Sequence, residues 1–332
     1  MVKMLQRIMD KEGMDSSEAE ALMRSIMGGE FSDAEIAGIL VALKMKGESV
    51  EEISAFAKVM RENSVRIAPK VEGALVDTCG TGGDSLGTFN ISTAAAFIAC
   101  GAGIPIAKHG NKAVSGKSGS ADVLEELGGR MLSPPQVEAC IGEVGFGFMF
   151  APFFHPAMKN VMPVRGALGV RTVFNILGPL TNPAGAQAQV LGVFEPSLLP
   201  KMAQVLDSLG VGHALVVHSG GMDELGLGES EVAELKNGNV ESYSLDSAEF
   251  GFLPAKIPAC SSASESAEIV RGVLEGKAGP ARDVCVLNAA AAIYVGGGAS
   301  GIGEGVGIAE NSIDSGSALG KLEEFARFGR DG

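Results

Sequence analysis

The chain has 332 residues, with 26 Lys and Arg against 40 Asp and Glu, a formal charge of −14 at pH 7. A field that acidic repels nucleic-acid phosphates and anionic lipid heads, and only short basic clusters interrupt it. At 46% hydrophobic and 20% charged residues, the chain has enough apolar side chains for a sizeable core and is not of disordered composition.

No apolar run reaches the roughly 18 residues that a membrane helix needs. The segment Met1 to Gly13 is too charged for a signal peptide, so a cytoplasmic location is expected. Cys79, Cys100, Cys140, Cys260 and Cys285 are scattered without C-x-x-C spacing and read as buried thiols. The 47 glycines and 14 prolines predict many tight turns and close backbone approaches, and the absence of Trp removes the largest base-stacking platform.

Along the first seventy residues, Asp15 with Glu18, Ser32 with Glu35 and Ser49 with Glu52 have the spacing of capping boxes. Ile36, Ile39, Leu40, Leu43 and then Ile53, Phe56, Ala57, Met60 follow at helical spacing, which predicts a small helical domain over 1–70. From Ala74 onward, β-like runs alternate with glycines and helix-like stretches: Ala74 to Thr78, Ile104 to Ala107, Phe146 to Phe150, Val190 to Phe194 and Ala214 to Val217. That alternation predicts an α/β domain over 71–332 with a mainly parallel central sheet flanked by helices. Val164 to Leu177 reads as a helix ending at Gly178-Pro179, and helices from about 164–185 are expected to join the N-terminal ones. Asn237-Gly238 marks a hairpin.

Four segments can carry chemistry. Asp77-Thr78-Cys79-Gly80-Thr81-Gly82-Gly83-Asp84 leaves a strand and leads through Asn90-Ile91-Ser92-Thr93 into an Ala-rich helix, which is the setting of an anion site able to hold a diphosphate. The Rossmann spacing fails, since Ser85 stands where the third glycine belongs. Asp84 inside such a loop must face sugar hydroxyls, a base or a metal, because it would repel phosphate. The second segment runs from Lys108-His109-Gly110-Asn111-Lys112 to Gly116-Lys117-Ser118-Gly119-Ser120. Its spacing refuses a Walker A motif, yet a local cationic loop in so acidic a chain points to an anion site, followed by a helix that Ser118 or Ser120 could cap. Third, Asp223-Glu224 on a glycine-flanked loop can reach one or two hard cations, or form an ordinary acidic turn. Fourth, the aromatic and proline-rich stretch around His155-Pro156, with Arg165 and Arg171 beyond it, suits a small planar carboxylic acid, though a core segment would read the same way.

Taken together, these segments resemble the anthranilate phosphoribosyltransferases, which have the nucleoside phosphorylase/phosphoribosyltransferase fold. The resemblance spans nearly the whole chain and includes His155-Pro156-Ala157 and Asn175-Ile176-Leu177-Gly178-Pro179-Leu180-Thr181-Asn182-Pro183. It implies transfer of the phosphoribosyl group of phosphoribosyl pyrophosphate (PRPP) to anthranilate in tryptophan biosynthesis, with Mg²⁺ as cofactor, two ions per site, and a homodimer joined through the helical domain. By the same resemblance Gly80, Gly82, Gly83, Asp84, Thr88, Asn90, Ser92, Thr93, Lys108, Lys112, Ser115, Gly116 and Ser120 bind PRPP. Gly80, His109, Asn111, His155 and Arg165 line the anthranilate path, and Ser92, Asp223 and Glu224 hold the metal. No nucleophile or strong base is expected. The chain departs from the family pattern at Lys112, commonly Arg, at Gly116, commonly Ser, and at Gly221-Met222, usually an Asp-Gly pair. Two rival readings are a pyrimidine nucleoside phosphorylase of the same fold, which Lys108-His109-Gly110-Asn111 disfavours, and a non-catalytic nucleic-acid-binding relative, which the net charge disfavours.

Overall fold

In the computed structural model, which describes residues 2–82, 86–113 and 118–331, all three N-terminal capping boxes form. They start the helices Ser16–Gly28, Asp33–Lys46 and Val50–Glu62. Glu52 is fully buried and ties three segments together. Its carboxylate accepts from Lys46 Nζ at 2.7 Å, from the Ser49 amide at 2.9 Å and from the Met14 amide at 3.0 Å. A buried carboxylate is tolerated here because each oxygen has a donor.

The strands are β1 Val76–Asp77, β2 Ile106–Gly110, β3 Phe146–Phe150, β4 Ala188–Gly192, β5 His213–His218, β6 Glu229–Lys236 and β7 Asn239–Asp246. They form one sheet in the order β3-β2-β1-β4-β5-β6-β7. The first five are mutually parallel, while β6 and β7 are antiparallel additions at one edge. Asn237 and Gly238, with φ of 52° and 79°, make the two-residue hairpin turn, since both positions need the left-handed conformation.

Side chains alternate across the sheet, so its two faces feed two different cores. Val190, Leu215, Val217 and Val232 belong to the larger core, under the helices Ile91–Gly101, Pro280–Val295 and Ile302–Asp314. Leu191, Ala214, Val216 and Ala233 pack instead with the helix Leu199–Ser208 and the N-terminal helices. The single helix expected over Val164 to Leu177 is in fact two: Met162–Leu168 and Phe174–Leu177. Gly169, at φ 62°, closes the first helix in a left-handed cap, and the sequence pattern concealed this because apolar residues continue through the break. Val164, Phe174 and Leu177 pack in the core of the N-terminal helices. Arg61 ties the helix Val50–Glu62 to later segments of that same core, donating to the Leu180 carbonyl at 2.7 Å and to the Leu209 carbonyl at 3.1 Å.

Candidate functional site

Because β1, β2, β4 and β5 run parallel, the loops that leave their carboxyl ends share one rim of the sheet. The crossovers change direction between β1 and β4, the place where open α/β sheets hold ligands. There the glycine loop after β1 lies against the loop after β5. Thr81 donates its amide to the Gly192 carbonyl at 2.9 Å, and the Thr81 hydroxyl accepts from the Phe194 amide at 3.1 Å. Gly82, at φ 69°, donates its amide to Asp223 Oδ2 at 2.8 Å. A Cβ on Gly80 would stand 2.6 Å from that same oxygen, so the close approach needs glycine.

A second contact joins the helix Ile91–Gly101 to the same loop: the Ser92 amide donates to Glu224 Oε1 at 3.2 Å. The Ser92 hydroxyl in turn accepts from Lys108 Nζ at 3.1 Å. Lys108, 2% exposed, also donates to the Thr78 carbonyl at 2.6 Å and lies 3.3 Å from the Thr78 hydroxyl. Its ammonium therefore lies behind Ser92, hydrogen-bonded to protein. Burial, and next the Asp223 charge, push Glu224 up to about 8. Adjacent carboxylates so crowded favour a proton or a cation between them.

Another part of the cluster is built on β2. Asp77, fully buried, accepts the His109 amide at 3.2 Å and the Asn182 side-chain NH₂ at 2.7 Å; Asn182 also donates to the Ala107 carbonyl at 2.9 Å. Burial raises the Asp77 carboxyl to about 6. The His109 ring packs at 5.0 Å from the His155 ring, and its Nδ1 lies 3.1 Å from the Gly178 carbonyl, so Nδ1 carries the proton. His109 Nε2 and both nitrogens of His155 are buried without a partner among the described residues. Burial lowers His109 to about 3 and His155 to about 4, leaving both rings neutral.

Asn90 precedes the helix Ile91–Gly101 but does not cap it; its Oδ1 accepts instead from the hydroxyls of Ser118 and Ser266. Thr93 is buried, its hydroxyl without a partner among the described residues, and Thr88 bridges to Ala259. Neither Ser118 nor Ser120 caps the next helix, Ser120–Glu126: Gly119 does, with its amide held by Asp122 at 3.0 Å. Ser120 lies 3.5 Å from the Asn111 carbonyl, and the Asn111 side chain accepts the Lys112 amide at 2.8 Å. Lys112 is not brought to the cluster. Its ammonium pairs with Glu125 at 2.9 Å on the surface. Arg165 lies on the helix Met162–Leu168, 5.9 Å from the Phe174 ring centroid and with no carboxylate partner among the described residues. Arg171 stacks over Phe194 at 4.0 Å. Gly83, Asp84, Ser115 and Gly116 lie outside the described residues.

Models of two glycosyl transferase families match the chain: the helical bundle domain over 2–64 and the a/b domain over 72–319. The anthranilate phosphoribosyltransferase of Pelotomaculum thermopropionicum is 52% identical over 98% of this chain and 95% of its own length. The chain belongs to the anthranilate phosphoribosyltransferase family. That of Methanocorpusculum labreanum is 51% identical, over 97% of this chain and 96% of its own. The crystal structure of the Thermus thermophilus enzyme superposes with a TM-score of 0.93 at 44% identity, covering 98% of this chain and 99% of that one. The Saccharomyces cerevisiae enzyme in complex with PRPP and Mg superposes at 0.89 with 28% identity, covering 99% and 98%.

The structure of this anthranilate phosphoribosyltransferase family member also brings forward residues that sequence reasoning passed over. Asn288, in the helix Pro280–Val295, accepts the Leu225 amide at 3.0 Å and donates to its carbonyl at 2.9 Å, fixing the backbone beside Glu224. His218 holds the start of the same loop, with Nδ1 at 2.8 Å from the Val193 carbonyl and Nε2 accepting the Gly221 amide at 3.4 Å. A lone Asn inside Val284-Cys285-Val286-Leu287-Asn288-Ala289 was a visible signal, because a polar side chain in an apolar helix face needs a partner.

Proposed function

We propose that this chain transfers the phosphoribosyl group of PRPP to the amine of anthranilate, giving N-(5-phosphoribosyl)anthranilate and pyrophosphate in tryptophan biosynthesis. The observation that carries the reading is the contact of Asp223 with Gly82 at 2.8 Å, because it sets a pair of carboxylates against a diphosphate-type glycine loop. Gly80, Gly82, Asn90, Ser92 and Thr93 would face PRPP, and Lys108 supports Ser92 from behind with its charge. Gly83, Asp84, Ser115 and Gly116 are assigned to the same substrate by family pattern, with Thr88 and Ser120 at the margin. Lys112 would have to leave Glu125 to take part.

Asp223 and Glu224 fit a divalent cation, since burial and next the Asp223 charge disfavour the Glu224 carboxylate, and a positive charge beside the pair would offset both. Among the described residues no cluster of three or more His, Cys, Asp or Glu could complete a metal shell, so Ser92, substrate oxygens and water would do so. Mg²⁺, two ions in this reading, supplies stabilisation of the negative charge that builds on departing pyrophosphate. The chain's own task is orientation. His109, His155 and Asn111 line the anthranilate path, and Arg165 can fork its carboxylate. An aromatic amine is uncharged and nucleophilic at neutral pH, so positioning suffices and no strong base is required.

Two neutral imidazoles suit a planar aromatic ligand better than charged ones would. The division into a helical unit of 1–70 with the helices of 164–185, and an α/β unit of 71–332, belongs to the same reading. So does a cytoplasmic homodimer joined through the helical unit, which is supported by Val41 and Met45, 39% and 77% exposed and four residues apart on one helix face. Among the described residues no helix is long and apolar enough to cross a membrane.

The test is loss of anthranilate fluorescence on mixing protein with PRPP, with and without Mg²⁺, while pyrophosphate is measured. Magnesium-dependent loss with equimolar pyrophosphate is expected. No loss at high protein concentration would mean that the fold serves another acceptor. Sedimentation of the purified protein as a monomer would remove the homodimer.

A further inference from the structure

Ser266, on the helix Ala263–Leu274, is 176 residues from Asn90 in sequence and fully buried against it. Its hydroxyl accepts the Asn90 amide N–H at 3.0 Å and donates to Asn90 Oδ1 at 3.0 Å. A hydroxyl has one proton, and here that proton has the Asn90 side-chain Oδ1 as its acceptor. Turning the amide over would leave the Ser266 proton buried without an acceptor, which costs more than the hydrogen bond gains. Ser118, next to the second loop, donates to the same oxygen. Ser266 therefore selects one orientation of the Asn90 side-chain amide, which the Ser118 hydroxyl meets as a second donor, with the NH₂ end given no partner among the described residues.

The segment just before this helix docks in the same place. The Cys260 amide donates to the Gly87 carbonyl at 2.9 Å, and Ala259 forms an isolated bridge with Thr88. Ser262 caps the helix by accepting the Glu265 amide at 3.1 Å, so Ser266 sits on a fixed first turn.

We propose that Ser266 is a positioning residue of the PRPP site, holding the Asn90 amide in the orientation that leaves its NH₂ for a diphosphate oxygen. The proposal rests on Asn90 being a PRPP ligand, and the test separates the two. Steady-state constants and melting temperatures are measured for wild type, Ser266→Ala, Ser266→Cys, Asn90→Ala and the Asn90→Ala/Ser266→Ala double variant. Ser266→Cys leaves no cavity and weakens the hydrogen bonds, which guards against an alanine variant that folds poorly.

In Ser266→Ala the KM for PRPP rises roughly fivefold to twentyfold, the value of one buried hydrogen bond, while kcat and the KM for anthranilate stay within about twofold. Ser266→Cys moves the same constant in the same direction. In the Asn90→Ala background the Ser266 substitution raises the KM for PRPP much less than in wild type, since only the bond to the backbone N–H of residue 90 is left to lose. Equal effects of Ser266→Ala in both backgrounds, or a rise in both substrates' KM values together, would make Ser266 a general packing residue and overturn the proposal. An unchanged KM for PRPP in Asn90→Ala would instead overturn the Asn90 assignment, and the proposal with it.

Discussion

A Cβ placed on Gly192 would lie 1.6 Å from the backbone oxygen of Asp223, inside any permitted contact. Gly192 ends β4 and is paired with Val217 of β5, and the chain leaving β5 folds back over it to present Asp223 and Glu224. The position of both carboxylates thus depends on the absence of one methyl group.

Gly192→Ala is therefore expected to displace that loop. A shift near 1 Å at reacting groups costs roughly a hundredfold in turnover, whereas the β2 residues proposed to meet anthranilate are on other elements than the displaced loop. Turnover, the Mg²⁺ concentration for half-maximal rate and the KM for anthranilate separate the two. Wild-type turnover in the alanine variant would show that the loop relaxes without harm.

Asp223→Asn combined with Glu224→Gln keeps the shape and removes the charge. Turnover falls by about a hundredfold or more, the usual scale for losing transition-state charge stabilisation, and anthranilate binding weakens far less. Turnover like the wild type at limiting Mg²⁺ would end the metal assignment.

Arg165 has its charge form disfavoured by burial, and a carboxylate ligand would reverse that. Arg165→Ala raises the KM for anthranilate roughly tenfold to a hundredfold, the loss of a charged hydrogen bond, and leaves the KM for PRPP near its starting value. Arg165→Lys recovers little, because an ammonium lacks the planar fork. Full recovery by lysine would mean that charge alone acts there.

Acid sensitivity is predicted at the hairpin rather than at the site. Burial pushes the Glu234 carboxyl up, but hydrogen bonds from His213, Tyr294 and Tyr243 outweigh it and hold the group down at about 2. The distances are 2.9, 2.7 and 3.0 Å. A carboxyl with a depressed folded value stabilises the protein above its ordinary 4.5, and that contribution is lost as pH falls toward 2. Glu234→Gln thus costs about 2 kcal/mol at pH 7, and its melting temperature converges on wild type as the pH is lowered through that window. A gap that stays constant with pH would assign the cost to packing. Because His109 and His155 are already neutral, the contribution proposed for them in anthranilate binding is expected to stay unchanged from pH 8 to about 5.5.

Local chemistry was readable from the chain itself. The spacing of Ser49 and Glu52 is a property of one helical turn, and the turn at Asn237-Gly238 is a property of two backbone conformations, so both could be named without a partner in view. The alternation of strands and helices likewise implied a parallel sheet, which places the glycine, cationic and acidic loops at one rim. The break at Gly169 escaped notice because periodicity continues across a left-handed cap, and Lys112 escaped because a surface ion pair with Glu125 has no signature in the loop itself.

Sequence by itself determined the element types, the family and the kinds of residue available for diphosphate, carboxylate and metal, since these depend on motifs and on local backbone preference. Tertiary structure alone decided which residues hold others in place. Asn288 grips Leu225, Asn182 grips Asp77, and Ser266 grips Asn90 across separations of 63, 105 and 176 residues. Such contacts answer the need of each buried polar atom for a partner, and the partner is whichever group the packing of distant elements delivers.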